Sequence, residues 1–282
     1  MKENKNLRYT GERAEFKASN TSYVGCLFED GESPLKESTN ITVEQCDFKW
    51  KYPIWYSENI EVNNTHLFFT ARSGIWYTKD IRMLNCVIDA PKTFRYAENV
   101  LLEHSELNHA DETFWNCKNI KLSDVKAKGD YLGFHSEDIE VDRLYLDGNY
   151  AFDSAKNITI RNSILNTKDA FWNVENVTVI NSRINGEYLG WNSKDITFIN
   201  CEIISHQGLC YMENVKLVNC KLIDTDLCFE FCSNIDADIV TSIDSVKNPY
   251  SGRIHAYEIK ELIMDEKYID PSKTEIVVDH HE

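Results

Sequence analysis

An Asn or Asp recurs along this chain every 19 to 21 residues: Asn20, Asn40, Asn59, Asp80, Asn99, Asn119, Asp138, Asn157, Asn176, Asp195, Asn214 and Asn234. So short and steady a period, with no helical spacing inside it, points to a coil of short strands repeated along an axis. With each Asx as position zero, position one is aliphatic (Ile41, Ile60, Ile81, Val100, Ile120) and position three is apolar (Val43, Val62, Met83, Leu102, Leu122). That alternation describes a strand with one buried face. Position five is Asn64, Asn85, Asn162, Asn181, Asn200 or Asn219, with Gln45, His104, Asp124 and Arg143 as exceptions. Asn tolerates the left-handed backbone of a sharp bend, and stacked amides can bond along the axis, so position five is a corner. After it the phase shifts, and Cys26, Cys46, Cys86 and Ser105 at position six turn inward with Phe28, Phe48, Ile88 and Leu107 at position eight.

These columns predict an all-β protein, a single-stranded right-handed parallel β-helix of about twelve coils whose rungs stack about 4.8 Å apart. The hand follows from the strong preference of parallel crossovers. We read one domain over residues 1–282, with coils over about 11–258 and a capping segment over about 259–282. The cysteines of position six are most simply small buried apolar side chains, although neighbouring coils put Cys201 beside Cys220.

The chain carries a formal net charge of −16, which disfavours nucleic acid or an anionic membrane as a partner and accommodates a neutral or cationic one. No apolar run resembles a signal peptide or a membrane span, and nine cysteines, an odd count without C-x-x-C spacing, read as thiols. The expected location is cytoplasmic, and the expected state a monomer or homo-oligomer.

Function has to come from what the coils display. Four residues before the Asx stand Trp55, Trp76, Arg95, Trp115, Phe134, Asp153, Trp172, Trp191, Cys210 and Glu230. Tryptophan mixed with charge in one column describes an exposed platform, because unpaired charges do not share a core layer. The flanking column, Phe94, Phe114, Phe152, Phe171 and Phe229, suits the interior; its phase is open where Gly133 and Gly190 replace Phe. At the preceding turn lie Asp111, Glu112, Asp130, Asp169 and Glu187, with Tyr131, Tyr150 and Tyr188 beside them; "GDYLG" and "GEYLG" are two copies of this turn. Acids and aromatics along one face make a groove suited to an oligosaccharide or polysaccharide fragment, substrate-binding residues being Trp76, Asp111, Glu112, Trp115, Asp130, Asp169, Trp172, Glu187, Tyr188 and Trp191. The same column also fits packing between coils, with the acids as a solvated rim.

The segments "GERAEF", "DGESPLKES", "ARSGIWYTKDI", "KDAFWNVENVTV", "GEYLGWNSKDI" and "SVKNPYSG" resemble a bacterial family of right-handed β-helices known as domain of unknown function 3737 and grouped with pectate-lyase-like folds. The resemblance covers about Gly11 to Asp265 and implies the fold; it implies no catalytic residues. The Asp-Asp pair and Arg-x-Lys signature of pectin-hydrolysing β-helices are absent. If the chain is an enzyme, it is a carbohydrate-active lyase or glycoside hydrolase, with Arg95, His135 and Asp153 as the central catalytic candidates. No cofactor is evident; Ca²⁺ held by clustered acids is the one that lyase chemistry would call for. Binding fits better than catalysis, since no acid–base constellation rises above the acidic background. The alternative is a structural or protein-interaction scaffold. Ile180, Ile199 and Val218 at position four form an apolar stripe that either the chain's last segment or a second copy would cover. An acidic mimic of DNA fits the charge but not the tryptophans.

Overall fold

The computed structural model describes residues 1–279; His280, His281 and Glu282, the end of the expected capping segment, lie outside the described residues. Among the described residues the regular elements are strands, apart from two single 3-10 turns at Phe69–Ala71 and Pro271–Lys273. The architecture is a parallel β-solenoid of about 15 turns. The excess over the expected twelve has a simple source: the rungs begun by the strands Lys2–Lys5, Gly252–Ile263 and Thr274–Val278 have Met1, Ser251 and Lys273 at position zero, so the Asx repeat does not mark them.

The chain divides into two compact units, Met1–Tyr145 and Leu146–Glu282. In the first, the position-one residues lie over one another, Ile41 on Ile60, Ile60 on Ile81, Ile81 on Val100 and Val100 on Ile120. In the second, Ile158 lies on Val177, Val177 on Ile196 and Ile196 on Val215. All these side chains are buried, so each core is a set of like-on-like columns. The last segment adds rungs of its own, Ile254 pairing with Ile276, rather than lying over Ile180, Ile199 and Val218.

Both Asx columns do what the sequence asks of them. The position-zero residues have φ between 49° (Asn20) and 59° (Asn176), and the position-five residues, Gln45, His104, Asp124 and Arg143 included, between 48° and 55°. Left-handed backbone costs a β-carbon-bearing residue roughly 1–2 kcal/mol, least for Asn and Asp, whose short side chains can bond locally. Here they bond along the axis: Asn59 Nδ2 donates to Asn40 Oδ1 at 2.7 Å, Asn176 to Asn157 at 2.9 Å and Asn219 to Asn200 at 2.8 Å.

Position six is more polar in its work than expected. All nine cysteines are free and buried, Cys201 and Cys220 among them. At the corner the backbone amide cannot reach the next rung's carbonyl, and the small side chain above accepts it instead. Cys26 N–H donates to Cys46 Sγ at 3.2 Å, Cys86 N–H to Ser105 Oγ at 2.9 Å and Ser163 N–H to Ser182 Oγ at 3.0 Å. Cys and Ser interchange because either supplies a compact acceptor to a buried donor. Burial pushes the Cys86 thiol up to about 11, which leaves it unreactive.

One further column decides register. The residue before the Asx is Ser19, Thr39 and Ser233 at the ends of the series and between them reads Glu58, Lys79, Glu98, Lys118 and Glu137, then Lys156, Glu175, Lys194 and Glu213. Ion pairs follow, Lys118–Glu137 at 2.8 Å and Lys156–Glu175 at 3.0 Å among them. Exposed pairs contribute little each. Their alternation still opposes a slip by one rung, which would set like charge on like along the strand edge.

Candidate functional site

In the first unit the residues four before the Asx form a continuous stack. Trp55 and Trp76 lie parallel, centroids 5.2 Å apart with planes 9° from one another. The next rung supplies Arg95, whose guanidinium carbon stands 5.0 Å from the Trp76 ring centre and 4.4 Å from that of Trp115. Phe134 follows, 4.8 Å from Trp115, and His135 packs at 4.2 Å against Phe134. Arg95 is also bonded to Glu112, which Lys92 pairs at 3.0 Å. A cation between two indoles, with a carboxylate on its edge, is held rather than offered to a ligand.

The tryptophans are therefore half-buried parts of the wall. Each indole N–H donates to a carbonyl of the following turn: Trp76 to Lys92 at 2.8 Å, Trp115 to Tyr131 at 2.8 Å, Trp172 to Tyr188 at 2.8 Å and Trp191 to Gln207 at 3.1 Å. The phenylalanine column beside them is buried, with Phe94 stacked on Phe114 at 4.6 Å. Its phase does not change at the glycines. Gly133 and Gly190 take φ of 85° and 78°, the same region as Phe114 and Phe171 at 57°, while Leu132 and Leu189 fill the space.

In the second unit Trp172 and Trp191 stack at 5.7 Å with planes 10° apart, and the tyrosines of the acidic turn stand across them. Tyr150 makes an angle of 88° with Trp172, and Tyr188 one of 73° with Trp191 at 5.5 Å. Both are half-buried. Beside them Asp169 is only 3% exposed and accepts a hydrogen bond from Tyr150. Burial pushes the Asp169 carboxyl above the usual range, Lys168 opposes the rise and Glu187 adds to it. Lys168 Nζ pairs with Glu187 at 3.1 Å and lies 5.2 Å over the Tyr188 ring.

The expected site residues thus fall into two groups. Trp76, Arg95, Glu112 and Trp115 come together in the first unit, with Asp111 accepting the backbone N–H of Asp130 at 3.1 Å and His135 exposed at the end of the stack. Asp169, Trp172, Glu187, Tyr188 and Trp191 come together in the second. There Asp153 accepts from Ser154 Oγ at 2.7 Å and Asn173 Nδ2 at 3.2 Å. Among the described residues no group of three or more His, Cys, Asp or Glu lies close enough to hold a metal ion. A concavity of about 750 Å³ runs instead along the Asn corner, past Asn162, Asn181, Asn200 and Asn219.

One family model, described as a protein of unknown function, DUF3737, matches residues 2–277. The chain belongs to that family. Among curated proteins none matches. Among solved structures, the DUF3737 chain is similar to PfbA, a surface adhesin of Streptococcus pneumoniae, at 14% identity over 83% of this chain and 77% of the other, with a TM-score of 0.41. It is also similar to the A-module of the Azotobacter vinelandii mannuronan C-5 epimerase AlgE4, at 9% identity, 95% and 86% coverage and a TM-score of 0.28. The periplasmic alginate epimerase AlgG is matched at 9% identity, 96% and 75% coverage and a TM-score of 0.28. Likeness this distant says nothing of chemistry.

The DUF3737 chain also carries polar groups that the sequence did not single out. His206 Nδ1 lies 2.7 Å from Asp226, one rung beyond Glu187, and its ring meets Tyr188 edge-on at 6.0 Å. Gln207 Nε2 donates to Glu230 at 3.2 Å, and Glu230, 5% exposed, pairs with Lys247 at 2.8 Å. Glu230 was visible in the tryptophan column; Lys247 and His206 sit in rungs whose spacing to it has no linear signature. Together these residues extend the tyrosine turn with donors and acceptors over successive rungs. No helix among the described residues is long and apolar enough to cross a membrane.

Proposed function

We propose that this β-solenoid binds an oligosaccharide along the tyrosine–carboxylate strip of its second unit. The observation that carries the reading is the right-angle setting of Tyr150 and Tyr188 against the indole stack. A sugar ring packs on an aromatic face; the tryptophans spend their faces on one another, whereas Tyr188 stands across Trp191 with the Lys168 ammonium, itself a donor for sugar hydroxyls, beside its ring. Glu187, Lys168, His206 and Gln207 supply the hydrogen bonds that fix a polyhydroxylated chain, and the buried Asp169 beneath them holds Tyr150 in place. The charge of −16 favours a neutral or amino sugar over a uronate. Nine free thiols support a cytoplasmic setting.

Titration of the protein with neutral, acidic and amino oligosaccharides, followed by tryptophan fluorescence, tests this. One class is expected to give a saturable change, weakened at least tenfold in Tyr188→Asn, which keeps a residue able to hold φ near 57°. Tyr56→Asn, in the first unit, is expected to bind as the parent does. Absence of any saturable change across the panel, or unchanged affinity in Tyr188→Asn, refutes the proposal.

A further inference from the structure

Three residues before the Asx, the two units spend their aromatic rings differently. In the first unit Tyr56, Tyr77 and Tyr96 lie flat on one another, with centroids 4.7 and 5.0 Å apart and planes within 7°. In the second, Tyr211 and Phe231 hold this position and Tyr250 continues the row on the next rung. These rings are tilted, by 51° between Tyr211 and Phe231 and by 34° between Phe231 and Tyr250. Trp191 meets Tyr211 at 5.3 Å, so the row starts against the indoles of the tyrosine–carboxylate strip.

The row stops at Tyr250. Its side chain is 44% exposed, and Phe231 is its one ring neighbour among the described residues. In the last rung the chain turns through residues 266–273 and leaves a concavity of about 540 Å³ against Tyr250. Tyr268, 55% exposed, borders it with the Lys267 ammonium 5.2 Å over its ring, so this ring serves as a wall and Tyr250 offers the face. Glu266, Asp270 and Lys273 complete the lining, whose two carboxylates and two ammonium groups cancel. Asp270 is held by its own turn, accepting the Ser272 N–H at 3.1 Å, whereas Glu266 enters no ion pair among the described residues.

We infer that this concavity binds one neutral pyranose ring, seated on the face of Tyr250 that Phe231 leaves open. A ring that ends a row has a face without a neighbour, and the apolar C–H face of a sugar covers it. Hydroxyls around the sugar need donors and acceptors side by side, which Lys267, Lys273 and Glu266 supply, and a lining of no net charge gives a uronate or an amino sugar no advantage. Given the oligosaccharide reading of the strip, on which this step rests, the ring is the end unit of the bound chain. Tyr188, Trp191, Tyr211, Phe231 and Tyr250 lead to the concavity with successive centroids 5.2 to 5.5 Å apart, and the last rung stands across the path beyond it.

Calorimetric titration of the full chain with glucose, galactose, mannose and xylose, and with neutral oligosaccharides of these sugars from two to six rings, tests this. One of the four is expected to bind the parent weakly and saturably as a monosaccharide, and more tightly as rings are added. Tyr250→Ala is expected to lose the monosaccharide and to weaken the longest oligosaccharide about tenfold, whereas Tyr250→Phe, which keeps the face, is expected to bind both within about twofold of the parent. Tyr188→Asn is expected to weaken the oligosaccharide and leave the monosaccharide unchanged; circular dichroism confirms that each variant is folded. An oligosaccharide weakened by Tyr188→Asn but not by Tyr250→Ala overturns the end site and leaves the strip standing. A monosaccharide lost in Tyr250→Ala, with an oligosaccharide indifferent to Tyr188→Asn, supports the sugar site at Tyr250 and removes the strip. Silence of the parent across the panel overturns the inference, and so does a loss in Tyr250→Phe as large as in Tyr250→Ala.

Discussion

The same column of the solenoid is closed in one unit and open in the other. In Met1–Tyr145 it runs Trp55, Trp76, Arg95, Trp115, Phe134, and the cation fills the one gap between indoles. In Leu146–Glu282 two indoles are followed by Cys210 and then by Glu230, a buried carboxylate that no ring can stack upon. A guanidinium is planar and continues an aromatic stack; a carboxylate ends it and recruits Lys247 and Gln207. The lesson is that a charged residue in an aromatic column is not by itself a sign of a binding platform. What matters is whether its partner is another wall residue or an exposed polar row.

Substitutions at equivalent places in the two units sharpen this contrast. The largest effect is expected at the glycine that opens each acidic turn. A β-carbon on Gly186 would meet the Thr167 carbonyl oxygen at 2.0 Å, and one on Gly129 the Asp111 amide at 2.5 Å with φ at 146°. Alanine at either is expected to cost about 3 kcal/mol, read from denaturant melts. Only Gly186→Ala, which displaces Glu187 and Tyr188, is expected to lose oligosaccharide binding as well.

Next comes removal of the cation from each column. Lys247→Met leaves Glu230 buried beside Gln207 alone and is expected to cost about 3 kcal/mol, read from denaturant melts at pH 7. Arg95→Met leaves Glu112 its Lys92 and is expected to cost only about 1 kcal/mol. Equal costs would mean that both columns are closed in the same way.

The smallest effect is a gain. The folded protein holds the Asp169 proton more tightly than the unfolded chain does, so this group lowers stability as pH rises between its unfolded and folded pKa values, and the loss persists above them. Asp169→Asn removes that dependence. Its thermal midpoint is expected to exceed the parent's at pH 7 and to match it at pH 3; a midpoint lower at both would mean that the Tyr150 bond outweighs burial.

Much of this was legible in linear order. Columns at fixed offsets identified the Asn corners, the buried Phe column and the aliphatic strand faces, because each rung repeats the same environment and the same residue types satisfy it. Rungs lacking the Asx of position zero escaped notice, as with Lys2–Lys5 and Thr274–Val278. The work of Cys46 and Ser105 as acceptors for a neighbour's amide was hidden for a different reason: nothing in the residue type says which backbone donor is left without a partner.

What the sequence by itself determined is the solenoid, since a 19-residue period with alternating apolar positions and left-handed-tolerant corners has one way to bury its faces. Ring orientation was decided only by the tertiary structure. Whether Trp172 stacks along the axis and Tyr188 turns across it depends on the carbonyls that accept their neighbours' N–H groups and on close approach at Gly186. Those contacts join residues a full rung apart, and the periodicity specifies that they meet without specifying at what angle.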